Sequence, residues 1–207
     1  HGLAIPEIRN NSKQSEVGIT LNLNTAIPAS ESTYDKDACN FYDGQFNRLF
    51  LEPLYKQRYP DDVFEHLKTT GRITDQNLEF IKDGDLNAIA TKTDFLGVNY
   101  YSRAVIRNEE IDEDKNLPKK VVMGPKTDFG WEIHPPGLYD LLVKLKTKYK
   151  VGNIYITENG CSYGDAPNSE KKINDQRRID YHRSHLLEVK RAIVDGVQCK
   201  GYFAWSL

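Results

Sequence analysis

The sequence predicts an α/β fold built on a parallel sheet, as one domain over residues 1–207. Three observations carry this reading. Apolar, partly β-branched runs alternate with amphipathic stretches in the order strand, helices, strand, helix, strand, helix, strand. Alternation of that kind lays parallel strands beside crossover helices. No short-period repeat or low-complexity linker divides the chain, and 207 residues suffice for one sizeable core.

Val17–Leu23 (VGITLNL) reads as a strand that opens into a loop at Asn22 and Asn24. A polar stretch follows. In Asn40–Leu54, Phe46, Leu49, Phe50 and Leu54 recur at helical spacing until Pro60 breaks the run, and Val63, Phe64 and Leu67 mark another turn or two in Asp61–Thr69. Asp94–Tyr101 (DFLGVNYY) is the second strand, and Asn108–Pro118 is acidic, polar and loop-like. Pro135 and Pro136 open a helix whose face carries Leu138, Leu141, Leu142, Leu145 and Tyr149. Ile154–Thr157 is a third strand, stopped by Asn159-Gly160. Asp175–Val194 is a long amphipathic helix with Ile179, Leu186, Val189 and Ile193 on one side, and Lys200–Leu207 (KGYFAWSL) is a fourth strand.

Composition removes several function classes. Twenty-eight Lys+Arg against 30 Asp+Glu give a formal net charge of −2, which argues against a nucleic-acid partner, since phosphate backbones select clustered excess base. With a mean hydropathy of −0.63, no apolar run approaches the ~20 residues that span a bilayer. The opening segment His1–Pro6 has neither the basic start nor the apolar core of a secretory signal. Cys39, Cys161 and Cys199 are too few and too far apart for a disulfide framework or a Cys-x-x-Cys metal site, so a reducing cytoplasm is the expected setting. Twelve tyrosines are the first hint of function, because flat rings and phenols suit sugars as well as cores.

In a (β/α) barrel the reacting groups sit at the C-terminal ends of strands. Glu158 follows the apolar run Ile154–Thr157, Asn99, Tyr100 and Tyr101 end the second strand, and Trp205 lies near the end of the fourth. A carboxylate to attack an anomeric carbon, a phenol to orient it and an indole to stack on the ring would make a sugar site. Each residue alone also has a structural reading: a turn or cap for Glu158, strand packing for Tyr100 and Tyr101, core for Trp205. Trp131 reads equally as site or packing. Asp175, Arg178, Tyr181 and His185 fall on one helical stripe. His182 and His185 invite a metal reading, but a polar stripe tying the helix to the strand-end loops is the stronger one, and no metal is expected. Lys119-Lys120 and Lys171-Lys172 read as solvated surface.

Together these segments resemble glycoside hydrolase family 1, the β-glucosidase family of (β/α)8 barrels. DFLGVNYYSR (Asp94–Arg103), TDFGWEIHPPGLYDLL (Thr127–Leu142), IYITENG (Ile154–Gly160) and GYFAWSL (Gly201–Leu207) carry the match. Weaker support comes from Gly18–Asn24, Gln45–Pro60 and the Asp175/Arg178/Tyr181/His185 set. The resemblance implies that the chain is the C-terminal half, strands five to eight, of the barrel. It implies Glu158 as the nucleophile, Tyr101 as the tyrosine that hydrogen-bonds and aims it, Asn99 beside the sugar subsite and Trp205 as its indole floor. It further implies double displacement on a β-linked glucoside or cello-oligosaccharide, with water as second substrate and no cofactor.

Retaining glycosidases need a second carboxylate as acid/base. The family's Thr-x-Asn-Glu-Pro motif for it is absent from the sequence, and the look-alike Leu51-Glu52-Pro53 lies on a helical run. The chain alone is therefore expected to be inactive, because general acid–base catalysis contributes ~10²–10⁴-fold. A half barrel exposes sheet edges, so self-association or pairing with a complementary N-terminal half-barrel is expected. One alternative is a non-catalytic half-barrel that binds sugar or serves as an assembly partner. Another, within the family, is a 6-phospho-β-glucosidase, although Thr127–Pro136 looks more like the plain glucosidases.

Overall fold

The computed structural model describes residues 1–112 and 117–205, in the order α1 (Ala4–Asn11), β1 (Gly18–Asn22), β2 (Ala26–Pro28), α2 (Thr33–Asp43), a π-helical turn (Gly44–Arg48), α3 (Leu49–Lys56), α4 (Asp61–Thr69), α5 (Asp85–Ile89), β3 (Phe95–Asn99), β4 (Ala104–Asp112), β5 (Leu117–Val121), α6 (Pro135–Tyr149), β6 (Asn153–Asn159), α7 (Gln176–Val194) and β7 (Gln198–Ala204). The main sheet runs β1-β3-β6-β7. All three of its pairings are parallel, as the alternation of strands and helices requires.

One face of this sheet makes the core. Leu96 and Val98 of β3 and Ile154 and Ile156 of β6 pack with Leu138, Leu141, Leu142 and Leu145 of α6 and with Val189 and Ala192 of α7. Alternate residues point the other way. On that side Thr20, Asn22 and Phe203 are exposed, and Phe95 and Tyr155 meet edge to face at 5.0 Å. Gly97 sits in this second layer. A Cβ there would lie 2.3 Å from Thr20 Oγ1 and 2.9 Å from Thr157 Cγ2, so the absent side chain is what lets β1, β3 and β6 close up.

Several expectations are corrected. The segment Asn108–Pro118, read as a loop, belongs largely to β4 and β5, which pair antiparallel beside β2 in a second, three-stranded sheet; residues 113–116 lie outside the described residues. Its polarity marked a sheet away from the main core rather than a loop. The helix expected from Asn40 starts at Thr33, where Ser32 Oγ accepts the Tyr34 N–H at 3.2 Å, and it is interrupted by the π-helical turn. That turn sets Arg48 in a bidentate ion pair with Asp62 at 2.6 and 2.8 Å. β7 ends at Ala204, and Ser206 and Leu207 of the expected fourth strand lie outside the described residues.

The inner stripe of α7 also differs. Tyr181, His185, Val189 and Ala192 are buried, while Ile179, Leu186 and Ile193 are exposed. The periodicity contains two stripes, and the helix turns the one with hydrogen-bonding partners towards the strands. Among the described residues no helix is long and apolar enough to cross a membrane.

Replacing Gly97 by Ala is expected to lower stability by about 1–3 kcal/mol through overpacking. Thr157 cannot rotate away freely because its hydroxyl donates to Asn99 at 2.7 Å. Urea unfolding of parent and G97A checks this, and an unchanged midpoint would show that the layer is loosely packed.

Candidate active site

β6 carries Glu158 near its C-terminal end, where both of its neighbours shift register. The shift against β3 falls between Val98 and Asn99, and a shift against β7 falls between Ile156 and Asn159. Such irregularities re-aim side chains. Here they set Asn99 opposite Glu158, and the Tyr100 N–H donates to the Glu158 carbonyl at 2.9 Å. Tyr101, two residues beyond β3, turns its hydroxyl onto the Glu158 carboxylate and donates to Oε2. Burial first, and then the bond to the carboxylate, raise the Tyr101 pKa, so the phenol remains a donor at neutral pH.

Thr157 Oγ1 donates to Asn99 Oδ1 at 2.7 Å. With its oxygen engaged, Asn99 keeps its NH₂ as the end able to donate to a ligand. The three strand-end residues singled out in the sequence, Glu158, Tyr101 and Asn99, are thus brought together.

Trp205 follows β7, and its backbone N–H donates to the Asn159 carbonyl at 3.0 Å. Asn159-Gly160, read as a turn signal, has a different use. A Cβ on Gly160 would lie 1.8 Å from the Trp205 carbonyl oxygen, so glycine permits the close approach of these two strand ends. The Trp205 side chain is 58% exposed and is not a core residue. It lines a cleft of about 370 Å³ with Tyr101, Phe129, Trp131, Tyr163 and Arg178. The Trp131 ring lies 5.0 Å from that of Tyr101 and 5.6 Å from that of Phe129.

Trp131 is anchored by the residue after it. Glu132 is buried and takes a forked ion pair from Arg103 at 2.7 and 3.2 Å, tying the segment after β3 to the segment that bears the indole. Phe129, Tyr163 and Arg178 were not picked out as cleft residues from the sequence. Phe129 was within reach, two positions from Trp131 in a segment already singled out. Tyr163 lies in a polar loop, and its link to α7, the Arg177 guanidinium 4.1 Å from its ring, is a tertiary contact.

A larger cavity of about 650 Å³ opens at the other end of the strands, beside Asp94, Phe95, Asn153 and Gln198. It is remote from Glu158, and in parallel α/β folds ligands sit at the carboxyl ends of strands. Among the described residues no three His, Cys, Asp or Glu side chains converge to hold a metal. Burial pushes the Cys161 thiol in the cleft up to about 11, so it stays protonated rather than nucleophilic.

Comparison with known proteins identifies the family and the fold. The glycosyl hydrolase family 1 profile matches residues 1–207. The 1,4-beta-D-glucan glucohydrolase of Thermotoga neapolitana is 39% identical, with 100% of this chain covering 47% of that protein. A 6-phospho-beta-galactosidase of Clostridium acetobutylicum is 34% identical, with 100% of this chain covering 48% of it. The crystal structure of a beta-glucosidase from Exiguobacterium marinum superposes with a TM-score of 0.89 at 35% identity, over 100% of this chain and 46% of that one. The chain therefore spans about half the length of the relatives it matches, and its sheet is part of a (β/α)8 barrel. It belongs to glycosyl hydrolase family 1, of which it carries the C-terminal half.

Proposed function

We propose that the chain supplies the nucleophile half of a retaining β-glucosidase, with Glu158 as nucleophile and β-linked glucosides or cello-oligosaccharides as substrates. The observation that carries this reading is the hydrogen bond from Tyr101 to Glu158 Oε2 at the strand ends. With Oε2 held by the phenol, Oε1 is the oxygen left to attack the anomeric carbon. The leaving group departs as Glu158 forms a covalent glycosyl ester, and water then releases the sugar with retained configuration. Asn99 offers its NH₂ to a sugar hydroxyl. Trp205 offers a ring face for stacking, and the aromatic cleft beyond Tyr101 receives the rest of the substrate.

The second carboxylate belongs ~5–5.5 Å from the first in a retaining enzyme. In this reading it comes from the complementary N-terminal half-barrel, and the 207 residues without that partner hydrolyse glucosides negligibly. Glucosides are preferred over phosphorylated sugars because Thr127–Pro136 resembles the plain glucosidases.

An activated 2-deoxy-2-fluoro-glucoside needs little proton donation, so it tests the nucleophile directly. The reagent is added to the chain assembled with the N-terminal half of a family relative such as the Thermotoga glucohydrolase. Intact mass is expected to rise by one glycosyl unit, and Glu158→Gln is expected to stay unlabelled. Equal labelling of Glu158→Gln would remove Glu158 from the role. No labelling of the assembled parent would favour a half-barrel that only binds sugar.

Tyr101→Phe keeps the ring against Trp131 but frees the carboxylate to rotate. Labelling by the same reagent is expected to slow by about 10²-fold, the scale on which small misplacements of reacting groups act. An unchanged rate constant would mean that the phenol does not aim Glu158.

A further inference from the structure

Directly after Glu158, Asn159 is fully buried, and its side-chain amide joins β6 to the residue that follows β3, to β7 and to α7. Its Nδ2 lies 2.7 Å from the Tyr100 carbonyl oxygen and 3.1 Å from Tyr181 Oη, and its Oδ1 lies 2.5 Å from Tyr202 Oη. Tyr202 Oη is in turn 2.9 Å from His182 Nδ1. Tyr181 Oη is 3.4 Å from the Tyr101 carbonyl oxygen.

One atom fixes every proton in this group. A backbone carbonyl only accepts, so the Asn159 atom facing Tyr100 must be the NH₂. Oδ1 then faces Tyr202 and can only accept, which commits the single hydroxyl proton of Tyr202 to it. Tyr202 Oη has only lone pairs left for His182, so the imidazole must present Nδ1–H. On the other side, Asn159 gives its second N–H to the Tyr181 oxygen, and the Tyr181 proton is free for the Tyr101 carbonyl. Burial and the nearby Arg178 lower the His182 pKa, which keeps the ring neutral above pH 7 and makes its tautomer a defined quantity.

We propose that Asn159 is a positioning residue, at the centre of a one-way run of hydrogen bonds from His182 through Tyr202 and Asn159 to Tyr181 and the backbone carbonyls of Tyr100 and Tyr101. The run fixes the two peptide segments that carry Glu158 and Tyr101, and so fixes the angle at which the phenol meets the carboxylate. Bonds aligned in one direction polarise each other, so the run is stiffer than its members. It acts through Glu158 and Tyr101 and rests on the reading of Glu158 as nucleophile.

Two readouts test it. Long-range ¹⁵N–¹H NMR of the full chain at pH 8 is expected to find His182 in the neutral Nδ1–H tautomer, moving towards Nε2–H in Tyr202→Phe. An Nε2–H tautomer in the parent would overturn the run, whatever the sugar chemistry. In the assembled half-barrels, Tyr202→Phe is expected to lower the rate constant of fluoro-glucoside labelling by about tenfold with less than about a twofold change in reagent affinity. With Tyr202 intact, His182→Asn, which places an N–H donor where Nδ1–H stood, should retain most of the parental rate, and His182→Leu should not. If Tyr202→Phe labels at the parental rate while Glu158→Gln stays unlabelled, the positioning role falls and the nucleophile stands. If Glu158→Gln labels as the parent does, the nucleophile reading falls instead.

Discussion

The strand ends depend on the parallel pairing of β6 between β3 and β7. Along the first half of β6, where Ile154 and Ile156 are buried under α6 and α7, β3 keeps a regular register and β7 shifts once, between Ile154 and Tyr155; both neighbours shift towards its end. The first half is fixed by packing, because a slip of one residue would turn the apolar side chains to the opposite face. The second half escapes that constraint. Glu158 and Asn159 can therefore take orientations set by hydrogen bonds, one to the phenol of Tyr101 and the other to Tyr100, Tyr181 and Tyr202.

Stability and function are separated along the same strands. Leu96, Val98, Ile154 and Ile156 are closed off from water in the core. At the carboxyl ends the polar groups are paired with one another: Thr157 with Asn99, Arg103 with Glu132, and Tyr202 with both Asn159 and His182. Buried polar groups that satisfy each other define one geometry, because any departure leaves a donor or acceptor unpaired. The Glu158 carboxylate is held within that rigid set, and the aromatic cleft beside it stays open.

Much of this was legible in the sequence where one dominant force decided local structure. The apolar stripe of α6, opened by Pro135 and Pro136, and the short apolar strands β1, β3 and β6 follow directly from burial and periodicity. Glu158, Asn99, Tyr101 and Trp205 could be picked out because chemistry-bearing residues at the ends of apolar runs are unusual. The three-stranded sheet was not legible. β4 is polar beyond Ile106 and β5 is short and basic, and their pairing is a choice of partner rather than a local preference. The face of α7 was misread for a related reason. Counting apolar residues favoured Ile179, Leu186 and Ile193, whereas the strands accept Tyr181 and His185, whose polar atoms find partners there.

The sequence by itself determined an α/β chain with parallel strands and the carboxylate, amide, phenol and indole at the strand ends, since those follow from periodicity and from residue type. Only the tertiary structure decided that the Tyr101 hydroxyl meets Glu158, that Gly160 exists for the Trp205 carbonyl, and that Asn159 joins β6 to the residue after β3, to β7 and to α7. Contacts between residues 22 to 59 positions apart carry no local signature. They appear once a buried core has fixed how the strands lie side by side and leaves each polar group to its nearest partner.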